Sequence, residues 1–265
     1  MPEIPTAVYA YCIVSSARRP PVARAPAGLR GGSRPEAYSL PGSLWLIAAE
    51  VPLAMYAPEN LEPRLRDLDW VSEAAVAHEK VVEHFSRMRG AAVVPMKLFT
   101  MFSSLPRAID ETGQGRRAIE RVVRRVAGCE EWGVRIVRKP AAVSRRSGRA
   151  EGSGRRTGAA FLAARKEARD AAATARFASL QAADEAFDRL RRQARDAYRR
   201  DRRPEPGTNP PILEAAFLVP TGKRERFKTE ARRQARAVAK AGAELALTGP
   251  WPAYNFVGRV DGGER

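Results

Sequence analysis

The sequence predicts an α+β protein of two domains, the second ferredoxin-like and built around a long helix. Three observations carry that prediction. Short runs of β-branched and aromatic residues are interleaved with amphipathic stretches of helical period. The chain has 265 residues, enough for two compact cores. From residue 131 the order is strand, long helix, strand, helix, strand. One further short strand near 207–211 would complete the split β-α-β arrangement.

The first domain is assigned to 1–130. "TAVYAYCIV" (6–14) is apolar on both faces of its alternation and reads as an interior strand. Residues 18–42 are rich in Pro, Gly and Arg and read as a mobile loop. "SLWLIAAEV" (43–51) is a second strand. After "ENLEPRLRDLDW", the residues Val71, Ala75, His78, Val82, Phe85 and Met88 recur in steps of three and four, one face of a helix. "AAVVPMKLFTMF" (91–102) reads as a strand broken by Pro95. Ser104 and Pro106 open a helix with the stripe Ile109, Ile119, Val122, Val123 and Val126, interrupted near Gly113.

The second domain is assigned to 131–265. "EWGVRIVRK" (131–139) alternates as a half-buried strand, and 140–158 is an Arg/Ser/Gly-rich loop. Residues 159–200 lack Gly and Pro and read as one helix of roughly 60 Å at about 1.5 Å per residue. Its stripe is Phe177, Leu180, Phe187, Leu190, Ala194 and Tyr198. "ILEAAFLVP" (212–220) is a strand, 222–241 a helix with Phe227, Ala231, Ala235 and Val238 inward, and 243–249 a last strand. The closing "TGPWPAYNF" places Trp251, Tyr254 and Phe256 within six residues. It reads as a structural clasp that prolongs the last strand, with Trp251 inserted against a neighbouring helix; the competing reading is an exposed peptide ligand.

The formal net charge is +17, and Arg outnumbers Lys 40 to 7. Residues 1–140 carry 20 basic and 15 acidic groups, residues 141–265 carry 27 and 15. Such a surplus favours anionic partners and makes weak, non-specific nucleic-acid binding at low salt expected. Arg145, Arg146, Arg149, Arg155 and Arg156 are the candidate partner-binding residues, for an anionic surface; the competing reading is a merely solvated run. The two cysteines, Cys12 and Cys129, form no CxxC pair and only two histidines are present, so no disulfide framework, metal site or cofactor is indicated. "HEKVV" lacks the second histidine of a zinc helix, and His78 lies on an apolar stripe as a hydrogen-bonded core residue. "GQGRRA" (113–118) has no strand leading into it and fails as a dinucleotide loop. Lys97, among Met, Leu and Phe, either faces water from a strand or pairs with Glu79 or Glu83. Catalytic constellations are thin: two histidines leave few general bases, though carboxylates could act. The longest apolar window is broken by Glu50 and Pro52 and no signal-peptide pattern opens the chain, which points to a cytoplasmic protein without a membrane span.

Several stretches, in order and over nearly the whole chain, resemble the gas vesicle protein F/L family: "YAYCIV", "AHEKVVEHF", "VVPMKLFTMF", "CEEWGVRI", "FLAARKE", "EAAFLVP" and "LTGPWPAYNFV". The family's Arg-Phe-Gly-Thr is here Lys97-Leu98-Phe99-Thr100, and the 140–158 loop and Arg load also depart from its pattern. The resemblance implies two α+β domains, the second ferredoxin-like. It further implies a non-enzymatic minor component or assembly factor of gas vesicles, located with the vesicle, that binds the hydrophobic shell subunit and other vesicle proteins and prevents aggregation during nucleation. A basic nucleic-acid-binding protein of RRM type is the alternative, although "EWGVRIVRK" and "ILEAAFLVP" lack the RNP pattern.

Overall fold

The computed structural model describes residues 5–139, 158–200 and 210–258. These divide into two compact units, Met1–Glu131 with Pro250–Arg265, and Trp132–Gly249. The chain therefore leaves the first unit once, builds the second, and returns with its last segment. This differs from the expectation of a second domain running to residue 265.

In the first unit, β1 (Thr6–Ser15), β2 (Glu36–Leu40), β3 (Leu44–Pro52), β4 (Ala92–Pro95) and β5 (Met101–Phe102) form one sheet. Its order is β2-β3-β1-β4, with β5 also paired to β1. β1 is the centre, and Ala7 through Val14 are all buried, which is why its sequence is apolar without alternation. The pairing of β1 with β3 is antiparallel from Thr6↔Pro52 to Ser15↔Leu44, with a register shift between Ala10 and Cys12.

β2 lies inside what reads from sequence as a loop over 18–42. It closes on β3 through Pro41, Gly42 and Ser43, with Gly42 at φ 84° and Ser43 at φ 57°. The expected strand of 91–102 is two short pieces. Between them Lys97 to Thr100 make a turn in which Thr100 N–H donates to the Lys97 carbonyl at 3.1 Å.

α1 (Leu53–Tyr56), α2 (Pro58–Arg64) and α3 (Leu68–Ser86) follow β3. Asp67 caps α3, its carboxylate accepting from the N–H groups of Asp69 and Trp70. α3 buries Ala74, His78, Val81, Val82 and Phe85 against the sheet. α4 (Leu105–Gln114) starts on the Ser104 cap, and α5 (Arg116–Val126) follows after Gly115. The "GQGRRA" segment is thus a helix-to-helix junction rather than a phosphate loop.

The second unit contains β6 (Cys129–Arg138), α6 (Gly158–Arg191), β7 (Asp196–Arg199), β8 (Leu213–Pro220), α7 (Arg224–Lys240) and β9 (Ala243–Trp251), the outer ends of β6 and β9 lying in the first. The sheet order is β7-β8-β6-β9 with the βαββαβ chain order, which is ferredoxin-like. Trp132, Val134 and Ile136 of β6 and Ala215, Phe217 and Val219 of β8 meet Phe187 and Leu190 of α6 and Phe227 and Val238 of α7.

The fourth strand is β7, upstream of the place expected. α6 ends at Arg191 and not at 200, although no Gly or Pro stops it. Tyr198 stands opposite Ala216 in an antiparallel ladder that Arg195 and Arg200 extend by hydrogen bonds to β8 at 2.7 Å. Sheet pairing here outranks the helical preference of Ala and Arg. A short helix, α8 (Tyr254–Val257), ends the described chain.

Candidate functional site

The sequence places two aromatic rings one strand repeat apart on β1, so Tyr9 and Tyr11 point the same way. Both are fully buried, with ring centroids 4.8 Å apart in edge geometry. Tyr9 hydroxyl lies 2.7 Å from His78 Nδ1 and accepts from the Phe99 N–H at 3.3 Å. Tyr11 hydroxyl accepts from the Leu29 N–H at 2.9 Å, pinning the 16–35 segment. Gly28 is needed there: it sits at φ +81°, and a Cβ would come within 2.2 Å of the Tyr11 oxygen.

The returning C-terminal segment completes this cluster. The Tyr254 ring lies 6.3 Å from that of His78. Its hydroxyl is buried and faces the Glu79 carboxyl closely enough to raise its own titration, yet neither forms a hydrogen bond of ordinary geometry. Phe256 is fully buried, and Arg125 reaches over its ring at 5.8 Å. Asn255 donates its backbone N–H to the buried Glu131 carboxylate at 2.8 Å and bonds it again through its side-chain amide. Trp251 is different. It is 44% exposed at the end of β9, so the expected insertion against a helix is corrected. Its strand position turns the ring outward, while the turn after Pro252 carries Tyr254 and Phe256 inward.

Burial pushes the Tyr9, Cys12 and Tyr254 titrations upward, and Tyr11 to about 12. Burial also holds His78 down at about 4, partly offset by the Met96 backbone, and raises Glu79. Each shift favours the neutral form.

On the other side of Tyr9, Phe99 holds φ 63°, a left-handed conformation in a non-glycine residue. Phe99 stacks on Trp70 at 5.5 Å with planes 8° apart, and the Arg64 guanidinium lies over Trp70 at 5.5 Å. Lys97 is exposed, and Glu83 pairs with Arg87 instead. Arg145, Arg146, Arg149, Arg155 and Arg156 lie outside the described residues. Among the described residues no group of three or more His, Cys, Asp or Glu is placed to hold a metal ion, and no helix is long and apolar enough to cross a membrane.

The face of the second sheet away from its core carries Gly133, Arg135 and Val137 of β6 and Glu214, Ala216 and Leu218 of β8. These two central strands give no aromatic platform for stacking bases; the ring beside them is Tyr198 of the outer strand β7, opposite Ala216.

Fold and site together define a two-unit α+β protein whose last segment closes its first core. The chain belongs to the gas vesicle synthesis protein GvpL/GvpF family, whose model matches residues 7–258. It is 30% identical over 248 residues to gas vesicle protein L of a Streptomyces strain, covering 88% of this chain and 87% of that one. It is similar in fold to the crystal structure of gas vesicle protein GvpF from Anabaena, with a TM-score of 0.64 at 16% identity, over 95% of this chain and 96% of that one. GvpF from Microcystis aeruginosa matches with a TM-score of 0.61 at 13% identity, over 95% and 98%.

Proposed function

We propose that this protein is a non-enzymatic minor component or assembly factor of gas vesicles that binds the hydrophobic shell subunit and prevents its aggregation during nucleation. The observation that carries the reading is the family match from residue 7 to residue 258, through both units. Physical support comes from the sheets. β2 and β4 are the outer strands of the first sheet's path and β7 and β9 those of the second, so each sheet has edge strands. An apolar strand of a shell subunit can be held by adding to such an edge. The protein works in the cytoplasm at the growing vesicle, with other vesicle proteins as further partners. The Tyr254 and Phe256 segment is its structural clasp, and the basic residues 145–156 add only weak, salt-sensitive attraction for nucleic acid.

Salt separates this reading from nucleic-acid binding. Phosphate contacts weaken by about 10³ or more between roughly 50 and 200 mM salt, whereas apolar burial is not screened. The purified protein is expected to retain the shell subunit at about 300 mM salt and to release RNA or DNA. Salt-resistant, sequence-selective RNA binding without retention of the shell subunit would overturn the proposal.

A further inference from the structure

α6 is about 50 Å long at 1.5 Å per residue, but only its second half is packed. Ser179, Ala183, Ala186, Phe187 and Leu190 are buried, whereas every residue from Phe161 to Phe177 is exposed. Of the large exposed hydrophobic residues, Phe161, Leu162, Phe177 and Leu180 all lie on this one helix. Most helical stability in proteins comes from packing one face. The first half of α6 has the sequence of a helix that packs, and no described residue of its own unit buries it.

The exposed side chains are ordered. Leu162, Lys166, Arg169, Ala173, Phe177 and Leu180 follow one another in steps of three and four and form a single stripe. The stripe continues along the helix toward Phe187, seven residues beyond Leu180, which the second unit buries. Leu162 is 65% exposed, Phe177 62% and Leu180 39%. Arg165 and Arg176 flank it. Elsewhere helical arginines meet a carboxylate one turn away, as in Arg107–Glu111, Arg116–Glu120 and Arg189–Glu185. Among the described residues, Arg165, Lys166, Arg169 and Arg176 form no such pair.

We propose that this stripe is a docking surface for an acidic amphipathic helix of a partner protein. Its occupant places apolar side chains on Leu162, Ala173, Phe177 and Leu180 and carboxylates beside the four cations. Charge decides among the occupants. A second copy would set the same four cations against themselves. An anionic membrane is broad enough to reach past the stripe to the adjacent flank, where Asp170 and Asp188 would meet its headgroups, whereas a single helix covers the stripe alone. Nucleic acid would use the cations but leave Leu162 and Leu180 in water. An acidic helix satisfies both the apolar and the charged positions, in the helix-on-helix mode read as anchors at steps of three and four. The surface is separate from the strand edges and asks for a partner of opposite character to a very hydrophobic subunit.

The test uses the full-length protein and a fluorescent probe peptide about three heptads long, with leucine at a and d and glutamate at the flanking positions. A second probe carries lysine in place of glutamate. Wild type is expected to bind the glutamate probe and not the lysine probe. Phe177→Ser with Leu180→Ser should weaken binding by about tenfold or more. Lys166→Glu with Arg169→Glu should abolish it and transfer binding to the lysine probe. Since all four positions are solvent-exposed, thermal melts should match wild type. No binding of the glutamate probe, or equal binding by both double variants, would overturn the proposal. So would tighter binding of phosphatidylserine vesicles or single-stranded RNA that the same variants abolish, or concentration-dependent dimers that they dissolve.

Discussion

Phe256 and Trp251 stand five residues apart, and their environments set opposite expectations. Phe256 is fully buried in the first unit, whereas Trp251 leaves 44% of its surface in water. Phe256→Ala is expected to cost about 3–5 kcal/mol, the usual range for deleting a buried ring, and Trp251→Ala less than about 1 kcal/mol. Urea midpoints of the two variants check this, and equal losses would contradict it. His78 gives a second prediction at this scale. Its folded titration lies at about 4, below its ordinary value near 6.5, so the native state binds fewer protons than the unfolded chain between those values. Stability is therefore full above about pH 6.5 and falls as the pH drops toward 4, by about 2 kcal/mol from pH 7 to pH 5. Glu79, with its titration raised, opposes part of that loss at the acid end. His78→Gln should flatten the dependence, and parallel pH profiles for variant and wild type would refute it. The core histidine was legible in the sequence because it sat on an apolar stripe. The strain at Phe99 was not, because nothing in Leu98-Phe99-Thr100 announces a positive φ; only the glycine of the related pattern hints at it.

At the scale of elements, legibility follows how local the cause is. α3 and α7 declare themselves through an apolar period that their own residues carry, and β1 and β8 through dense apolar runs. β2 and β7 are missed because their neighbours make them strands. "EAYSL" and "DAYR" have no strong strand preference, and each becomes one by pairing with β3 or β8. The length of α6 was overestimated for the same reason. Its two halves nonetheless differ in what they contribute. Ala172→Pro, in the exposed half, should break the helix locally and leave the melting temperature within a few degrees of wild type. Ala186→Pro, in the buried half, should cost at least about 3 kcal/mol by breaking the helix against the sheet. Hydrogen exchange gives the complementary readout, fast for 161–177 and protected for 183–190. Equal sensitivity of the two halves to proline would show that the first is packed after all.

At the scale of the whole molecule, the order of elements is readable but the path of the chain is not. Strand, helix and turn patterns act within a few residues, while the return of Pro250–Arg265 to the first unit is a contact between the two ends of the sequence. The consequence is physical. The first core keeps Tyr9, His78 and Glu79 under a segment that is made last and reached only after the second unit has been traversed. Phe256, Ala253 and the Asn255 bonds to Glu131 fix that segment in place. A chain ending at Gly249 retains every core residue of the second unit but uncovers the first. Its first unit, followed through Trp45 and Trp70, should therefore unfold at lower urea than in the full chain, while Trp132 reports a second unit little changed. Single-tryptophan versions of both lengths separate the signals. A truncated chain whose Trp45 and Trp70 transitions coincide with those of the full chain would mean that the segment merely rests on the first core, and that the core is closed without it.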